Sequence, residues 1–173
     1  MTEDGRQLGL VTKEEGYARL ELFDVSKGWE GRCELPGPQL AAGMLHERRW
    51  SGDGGRLGFT LDAGNYDPDV WDWDVVEGVL WQATGSSRGG IAQESFVTQV
   101  LVHYATFDGR EIAAFLYRPR GEQSRGLPVV VYVHGGPESQ FRPTFNAVMQ
   151  YLVGCSYGVL GPNVGGSSGY GYE

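Results

Sequence analysis

Five consecutive apolar residues at 129–133 constrain the fold more than any other feature of this sequence. They lie within the segment 127–134, and such a run is typical of a strand buried on both faces of a parallel sheet. Gly135 and Gly136 end the strand, a helical spacing of apolar residues follows at 145–153, and a second strand is predicted at 157–160. Together with a predicted hairpin upstream, this order indicates the opening of an α/β fold.

The first half of the chain follows a different pattern. The sequence holds 28 glycines in 173 residues, a fraction of about 16% against an average usage of about 7%. Glycine-containing turns separate short alternating segments, which predict strands at 8–12, 18–25, 56–61, 70–75 and 79–84. Such strands indicate a sandwich, a barrel or a propeller blade, and the residues alone leave these three open.

The pattern changes near residue 93. A hairpin is predicted from strands at 97–104 and 111–117, with Asp108 and Gly109 in its turn. The continuous apolar strand and the helix described above then follow. We therefore expect two architectures, one at 1–92 and the other at 93–173.

Charge and cysteine spacing exclude several classes of function. Lys+Arg 14 against Asp+Glu 22 gives a net charge of −8, with no basic run. We therefore expect neither a nucleic-acid nor a membrane partner. Cys33 and Cys155 are 155 − 33 = 122 residues apart, which fits neither a disulfide framework nor a metal-binding knuckle. We expect no metal or other cofactor, and a cytoplasmic protein with reduced thiols.

Two glycine-containing motifs are candidates for hydrolase chemistry. The segment 85–89 matches G-x-S-x-G, but no helical periodicity follows Ser87, as a nucleophile elbow requires. We interpret Ser87 as part of a polar turn. His134-Gly135-Gly136 follows a predicted buried strand and precedes a helix, the position of an oxyanion loop. Glycine suits that task because backbone N–H groups must approach an oxyanion without a Cβ in the way. His134 is interpreted as shaping this loop rather than acting as a base.

Other chemistry-bearing residues receive structural interpretations. Two histidines have no metal-ligand spacing and are expected at the surface or in packing: His46 and His103. An acidic cluster is expected to form a solvated face: Asp67, Asp69, Asp72 and Asp74. Three tryptophans are expected in core packing rather than in a sugar-stacking platform: Trp71, Trp73 and Trp81.

Two longer motifs resemble a known family. HGGP at 134–137 and PNVGGSSGYG at 162–171, with the strand and helix around them, resemble the prolyl oligopeptidase family of serine peptidases. The likeness is strongest to its acylaminoacyl-peptidase and dipeptidyl-peptidase-like branch. FDGREIAAFLYRP at 107–119 is similar to the strand pair that opens the family's hydrolase domain. The resemblance implies a β-propeller remnant at 1–92, followed at 93–173 by the N-terminal part of an α/β-hydrolase domain.

The resemblance also implies an activity and site residues. The family hydrolyses short peptides, or removes N-terminal acylaminoacyl or dipeptidyl units, by a Ser-Asp-His mechanism. By position, Gly136 would donate its N–H to the oxyanion and Gly135 would shape the loop. The family usually has arginine at the position of Gly165, so this chain lacks a five-donor side chain there. The family's three triad residues lie further along than residue 173, so we expect an inactive fragment, truncated before the nucleophile.

Two alternative functions remain open at this point. The chain is part of an esterase, since HGG loops also serve acyl esters, or it is a non-catalytic binding protein on the same scaffold. A parallel sheet cut after its first strands also exposes an unpaired edge. We therefore expect self-association through exposed sheet edges.

Overall fold

The computed structural model describes residues 1–14, 16–33, 42–121, 126–136 and 138–170. The chain divides into two compact units. The first comprises Met1–Ala63 and Asp67–Ser87, and the second comprises Gly64–Tyr66 and Arg88–Glu173. No helix within the described residues is long and apolar enough to cross a membrane.

Two β-sheets make up the first unit. A three-stranded sheet has the order β1-β2-β3 and a four-stranded sheet has the order β4-β5-β6-β7. The strands are β1 (Gln7–Glu14), β2 (Tyr17–Asp24), β3 (Arg32–Cys33), β4 (Gly43–Trp50), β5 (Arg56–Ala63), β6 (Tyr66–Asp74) and β7 (Val79–Gln82). A four-stranded sheet whose sequence neighbours are also sheet neighbours is consistent with a blade of a propeller.

The two sheets of this unit share one apolar core. Period-two alternation in β5 places Leu57, Phe59 and Leu61 on the same face, and all three are buried. Leu20 and Leu22 of β2 belong to the same cluster. The predicted strands at 18–25 and 56–61 are therefore confirmed, while β4 was not predicted from the sequence.

The aromatic residues of β6 and β7 take different environments. Trp73 is 3% exposed and lies in the core cluster, and Trp71 packs against that cluster, as predicted. Trp81 instead lies at the surface, where the Arg56 guanidinium stands 5.6 Å from the centroid of its ring. The core interpretation is therefore wrong for Trp81, and a cation–π contact accounts for its position.

The expected solvated acidic face is wrong for Asp69, which is 2% exposed. Its carboxylate accepts hydrogen bonds from Gln82 Nε2 at 3.0 Å, Thr84 Oγ1 at 2.9 Å and the Ser86 backbone N–H at 2.9 Å. The physical reason is strand periodicity, because residue 69 shares the inward face of β6 with Trp71 and Trp73. The three donors satisfy the carboxylate oxygens, which burial would otherwise leave without hydrogen bonds.

A mixed sheet and one helix form the second unit. The sheet order is β10-β11-β9-β8, in which β10 and β11 are parallel and the β11–β9 and β9–β8 pairs are antiparallel. The elements are β8 (Val100–Ala105), β9 (Glu111–Tyr117), β10 (Val129–Val131), α1 (Ala147–Gly154) and β11 (Gly158–Pro162). The predicted succession of hairpin, strand, helix and strand is confirmed.

The hairpin turn between β8 and β9 forms where Asp108 and Gly109 predicted it. Gly109 adopts a φ of +82°, a conformation that favours glycine. Hydrogen bonds from the Thr106 hydroxyl and the Arg110 side chain lower the pKa of the Asp108 carboxyl to about 2. The turn is thus held by its own polar side chains.

Strand β10 differs from the prediction in length and in burial. It spans three residues rather than 127–134, and Val129 and Val131 are 54% and 56% exposed. Within the described residues β10 is at the edge of its sheet and pairs with β11 alone. The expectation of burial on both faces is therefore wrong for the described chain, because no described element covers the face of β10 that bears Val129 and Val131.

Helix α1 has a capped N-terminus and is held by a buried glutamine. The Asn146 side chain caps its N-terminus by accepting a hydrogen bond from the Met149 N–H at 3.1 Å. The buried Gln150 side chain binds three backbone groups of the second unit, accepting from Val97 N and donating to the carbonyls of Val97 and Gly64. The helix is thereby tied to the segments that precede the sheet.

Candidate functional site

Two loops follow the parallel strands of the second unit at their carboxyl ends. The β10 loop comprises residues 132–141, of which Pro137 lies outside the described residues, and the β11 loop comprises residues 163–170. Adjacent parallel strands bring such loops together at one edge of a sheet, where α/β proteins generally bind ligands. The candidate oxyanion residues Gly135 and Gly136 lie in the β10 loop.

Gly135 and Gly136 are exposed in the β10 loop. Gly136 adopts a φ of +60°, and a Cβ on either residue would meet no heavy atom within 4 Å. The Ser139 N–H donates to the Gly136 carbonyl at 3.0 Å, which closes a turn that begins at Gly136. Among the described residues, none accepts a hydrogen bond from the N–H of either glycine. Both N–H groups therefore lack an acceptor within the described residues, in a loop that is exposed to solvent.

His134 joins the two loops. Its Nε2 lies 2.9 Å from the Ser167 hydroxyl, and the Ser168 N–H donates to the Ser139 carbonyl at 2.9 Å. Ser167 is 5% exposed and His134 is half-buried, so the contact is part-buried. These contacts agree with the interpretation of His134 as a residue that shapes the loop.

The His134–Ser167 pair lacks the features of a catalytic dyad. The other ring nitrogen of His134, Nδ1, lies 3.4 Å from the carbonyl of Gly135. Among the described residues, no carboxylate orients this imidazole as an acid does in a triad. The buried Ser167 hydroxyl is also poorly placed to reach a substrate.

Asn163 is a positioning residue that the sequence analysis missed. Its side chain is 4% exposed, and its Oδ1 accepts from the Phe141 N–H at 2.6 Å while its Nδ2 donates to the Phe141 carbonyl at 3.2 Å. The same Nδ2 donates to the Tyr170 hydroxyl at 2.7 Å. Burial raises the pKa of the Tyr170 phenol, although the hydrogen bond from Asn163 acts in the opposite direction. One amide therefore holds the end of the β10 loop and the end of the β11 loop.

The ring of Phe141 anchors the β10 loop to the sheet. It packs against Phe115, Tyr117 and Tyr132, with centroid distances of 5.9, 6.4 and 6.0 Å. A Cβ at Gly161 would lie 2.4 Å from atoms of this ring. Glycine is therefore required at that position of β11, because the ring lies where a side chain would project.

A cavity of about 330 Å³ opens beside the β10 loop. Its lining combines aromatic, amide, hydroxyl and cationic side chains with one methionine: Tyr132, His134, Ser139, Gln140, Phe141, Arg142, Thr144, Asn146 and Met149. The lining therefore offers both hydrogen-bonding groups and apolar contact to a ligand.

Gly165 lies in the exposed part of the β11 loop. A Cβ there would meet no atom within 4 Å, and its φ lies outside the positive region. The loop forms with glycine at this position, since the Ser167 N–H donates to the Val164 carbonyl at 2.9 Å and Ser168 binds Ser139. Space for a longer side chain is present.

The remaining candidates lie apart from this site. Ser87 is exposed in a segment without regular structure after β7, so the nucleophile elbow that the sequence analysis rejected is also absent from this part of the described chain. His46 lies in β4 and His103 in β8. Among the described residues, no group of three or more histidine, cysteine or acidic side chains is arranged to hold a metal ion.

Replacing Gly161 tests the anchor of the site. We expect Gly161→Ala to lower the free energy of unfolding by about 1–3 kcal/mol, because the added methyl group overpacks against Phe141. Gly165→Ala is the matched control, expected to change it by less than about 0.5 kcal/mol at an open surface position. Urea denaturation of both variants measures the difference. Equal stabilities would show that the Phe141 ring yields without cost and does not anchor the loop.

The chain is similar in part to known peptidases. No family model matches the chain. Its sequence is 31% identical over 93 residues to the uncharacterized peptidase YuxL of Bacillus subtilis (strain 168), covering 53% of this chain and 14% of the relative. It is 30% identical over 95 residues to dipeptidyl aminopeptidase BIII of Pseudoxanthomonas mexicana, covering 51% of this chain and 14% of that one.

Solved structures share the fold. A puromycin hydrolase mutant complexed with PGG matches with a TM-score of 0.76 at 24% identity, covering 96% of this chain and 25% of that one. Prolyl oligopeptidase B from Galerina marginata matches with a TM-score of 0.75 at 14% identity, covering 99% of this chain and 24% of that one. The chain is therefore similar in sequence to two peptidases and in fold to proteins that include a prolyl oligopeptidase, and it spans about one seventh of the length of the curated relatives it matches.

Proposed function

We propose that the chain contributes the oxyanion loop and part of the substrate site of a serine-type peptidase. In this proposal residues 1–92 are the last strands of a β-propeller, and residues 93–173 are the N-terminal part of an α/β-hydrolase domain. The parallel β10–β11 pair with α1 between its strands supports the hydrolase assignment. The substrate is a short peptide, cleaved internally or shortened by an N-terminal acylaminoacyl or dipeptidyl unit through a Ser-Asp-His mechanism.

The exposed Gly135–Gly136 turn is the observation that carries this proposal. Its N–H groups lie in the β10 loop, and five other residues of that loop line the cavity. When a nucleophile attacks a peptide carbonyl, the oxygen becomes an oxyanion, and a donor fixed in advance stabilises that charge without reorganisation. Gly136 supplies one such donor, and Gly135 lets the substrate approach the backbone. The tie from His134 to Ser167 holds the turn in place.

The names of similar proteins favour peptides over esters as the substrate. One of them is named a dipeptidyl aminopeptidase, and one structural neighbour was solved with PGG. An esterase built on the same loop remains the alternative, together with a binding protein that lacks catalysis. Comparing the turnover of aminoacyl amides and of esters by the active native protein distinguishes a peptidase from an esterase. Measurable turnover of either substrate contradicts the assignment as a binding protein.

The oxyanion role is tested at Gly136 in the native protein that contains this chain, identified in its source cells by peptides from residues 100–150. We expect Gly136→Ala to lower kcat by about 10–1000-fold with little change in KM. Alanine is strained at a φ of +60°, so the N–H is displaced from the developing charge.

Gly109→Ala is the matched control for that experiment. Gly109 also has a positive φ, at +82°, with open space around it, but it lies in the β8–β9 turn. Both substitutions carry a similar backbone strain, so a loss of kcat in both would indicate a general loss of stability. Full activity of Gly136→Ala would contradict the oxyanion assignment.

The 173 residues on their own are expected to show no peptidase turnover. The described serine that contacts a histidine, Ser167, is 5% exposed, and no described carboxylate orients its partner His134. An oxyanion loop without a nucleophile and base leaves a residual rate far below that of a complete site. The measurement is labelling by a serine-reactive phosphonate, with the native protein as positive control. Stoichiometric labelling of the isolated chain would contradict this expectation.

Self-association is proposed through the free edge of β10. Its exposed valines and unpaired backbone groups form a template for a strand of a second copy. We expect Val131→Lys to shift the chain toward monomer, because a charged residue on an edge strand opposes further pairing. Val148→Lys is the control, since Val148 is 63% exposed on α1 rather than on a strand. Sedimentation velocity over a range of concentrations measures both. Equal association of Val131→Lys and the unchanged chain would argue against pairing at β10.

A further inference from the structure

The cavity beside the β10 loop has an unbalanced charge. Arg142 belongs to its lining, and among the described residues that line it there is neither an aspartate nor a glutamate. Glu138, the nearest acidic residue in the chain, is exposed and does not belong to this lining. The cavity of a chain with a net charge of −8 therefore presents a cation to its contents.

The guanidinium of Arg142 has no described partner. Four described arginines lie within 4.0 Å of a carboxylate: Arg6, Arg19, Arg56 and Arg110. No such contact is made by Arg142 to a described residue, and its side chain is exposed. A guanidinium presents a planar fork of donors that matches the two oxygens of a carboxylate.

From this arrangement we propose that the cavity selects peptides that carry a carboxylate, which Arg142 binds. The inference rests on the proposed peptidase function, and it names the substrate class that this site prefers. The carboxylate comes either from the C-terminus of a short peptide or from an acidic side chain. Gln140 and Asn146 line the same cavity and offer amide groups to the peptide backbone. The overall negative charge of the chain opposes anionic ligands elsewhere on the surface, so a preference for them points to a local cation.

The test compares three acetylated tripeptides that differ only in their charge. Ac-Ala-Ala-Gln-NH2 is neutral, Ac-Ala-Ala-Gln-OH has a C-terminal carboxylate, and Ac-Ala-Ala-Glu-NH2 has a side-chain carboxylate. Saturation-transfer NMR on the 173-residue chain measures each Kd. The method reads the signals of the peptide, so it also works if the protein associates with itself.

We expect at least one carboxylate peptide to bind about two- to fivefold more tightly than the neutral one, the size of a solvent-accessible ion pair. The peptide that binds more tightly identifies whether the C-terminus or an acidic side chain supplies the carboxylate. The preference should shrink when NaCl is raised from about 0.1 M to about 1 M, because the Debye length falls from about 10 Å to about 3 Å. This salt dependence is measured on the unchanged chain and does not depend on any variant folding.

Three variants assign the effect to one side chain. Arg142→Gln should abolish the preference while the neutral peptide still binds, and Arg142→Lys should retain part of it because the charge remains without the fork. Arg118→Gln is the matched control, since Arg118 is an exposed arginine of the same unit outside the cavity lining. It removes the same charge and should leave the preference intact.

The outcomes separate this inference from the function on which it rests. Equal Kd values for the three peptides, or an unchanged preference in Arg142→Gln, would overturn the role of Arg142 and leave peptide binding standing. Loss of the preference in Arg118→Gln to the same extent would show a general effect of net charge and would also overturn it. Binding of none of the peptides by a chain that is folded by circular dichroism would count against both the inference and the proposed peptide site.

Discussion

The packing of the Phe141 ring against Gly161 is the contact on which the candidate site depends. The ring occupies the space into which any other residue type at position 161 would project its Cβ, and Asn163, directly after the same strand, binds both backbone groups of Phe141. Buried amides that pair both of their functions fix geometry strongly, because any displacement leaves a polar group unpaired. The β10 loop therefore takes its position from β11.

A loop fixed at both ends holds Gly135 and Gly136 in one conformation between them. Phe141 secures one end, and the His134–Ser167 and Ser139–Ser168 contacts secure the stretch on either side of Gly136. Gly136 keeps a φ of +60° that most residues adopt only at a cost of roughly 1 kcal/mol or more. In the proposed function this fixed loop supplies the preorganised N–H donor of the oxyanion site. His134 contributes as a tie between loops.

Much of this arrangement could be predicted from the sequence, and the failures have physical causes. Periodicity found β5 and the core position of Trp73, and the break at Gly135–Gly136 located the candidate loop. The same periodicity puts residue 69 on the inward face of its strand, but its acidic side chain led to the prediction of a solvent-exposed position. The hydrogen-bond donors at 82–86 that allow its burial are not apparent from the local sequence. Asn163 was missed for a related reason. Its role depends on Phe141, which is distant in sequence and adjacent in space.

The exposure of β10 shows that an apolar sequence predicts burial of a strand only when the elements packed against that strand are known. Val129, Val131 and Val133 are 54%, 56% and 64% exposed although they form the most apolar run of the chain. Fully burying one such side chain contributes about 1.5–3 kcal/mol, so covering the exposed part of all three would add about 3–5 kcal/mol. That is a large fraction of the roughly 5–15 kcal/mol by which a domain is stable. Natural edge strands usually carry charges that discourage pairing, and the absence of any charge at 129–133 indicates a strand suited to lying beneath another surface.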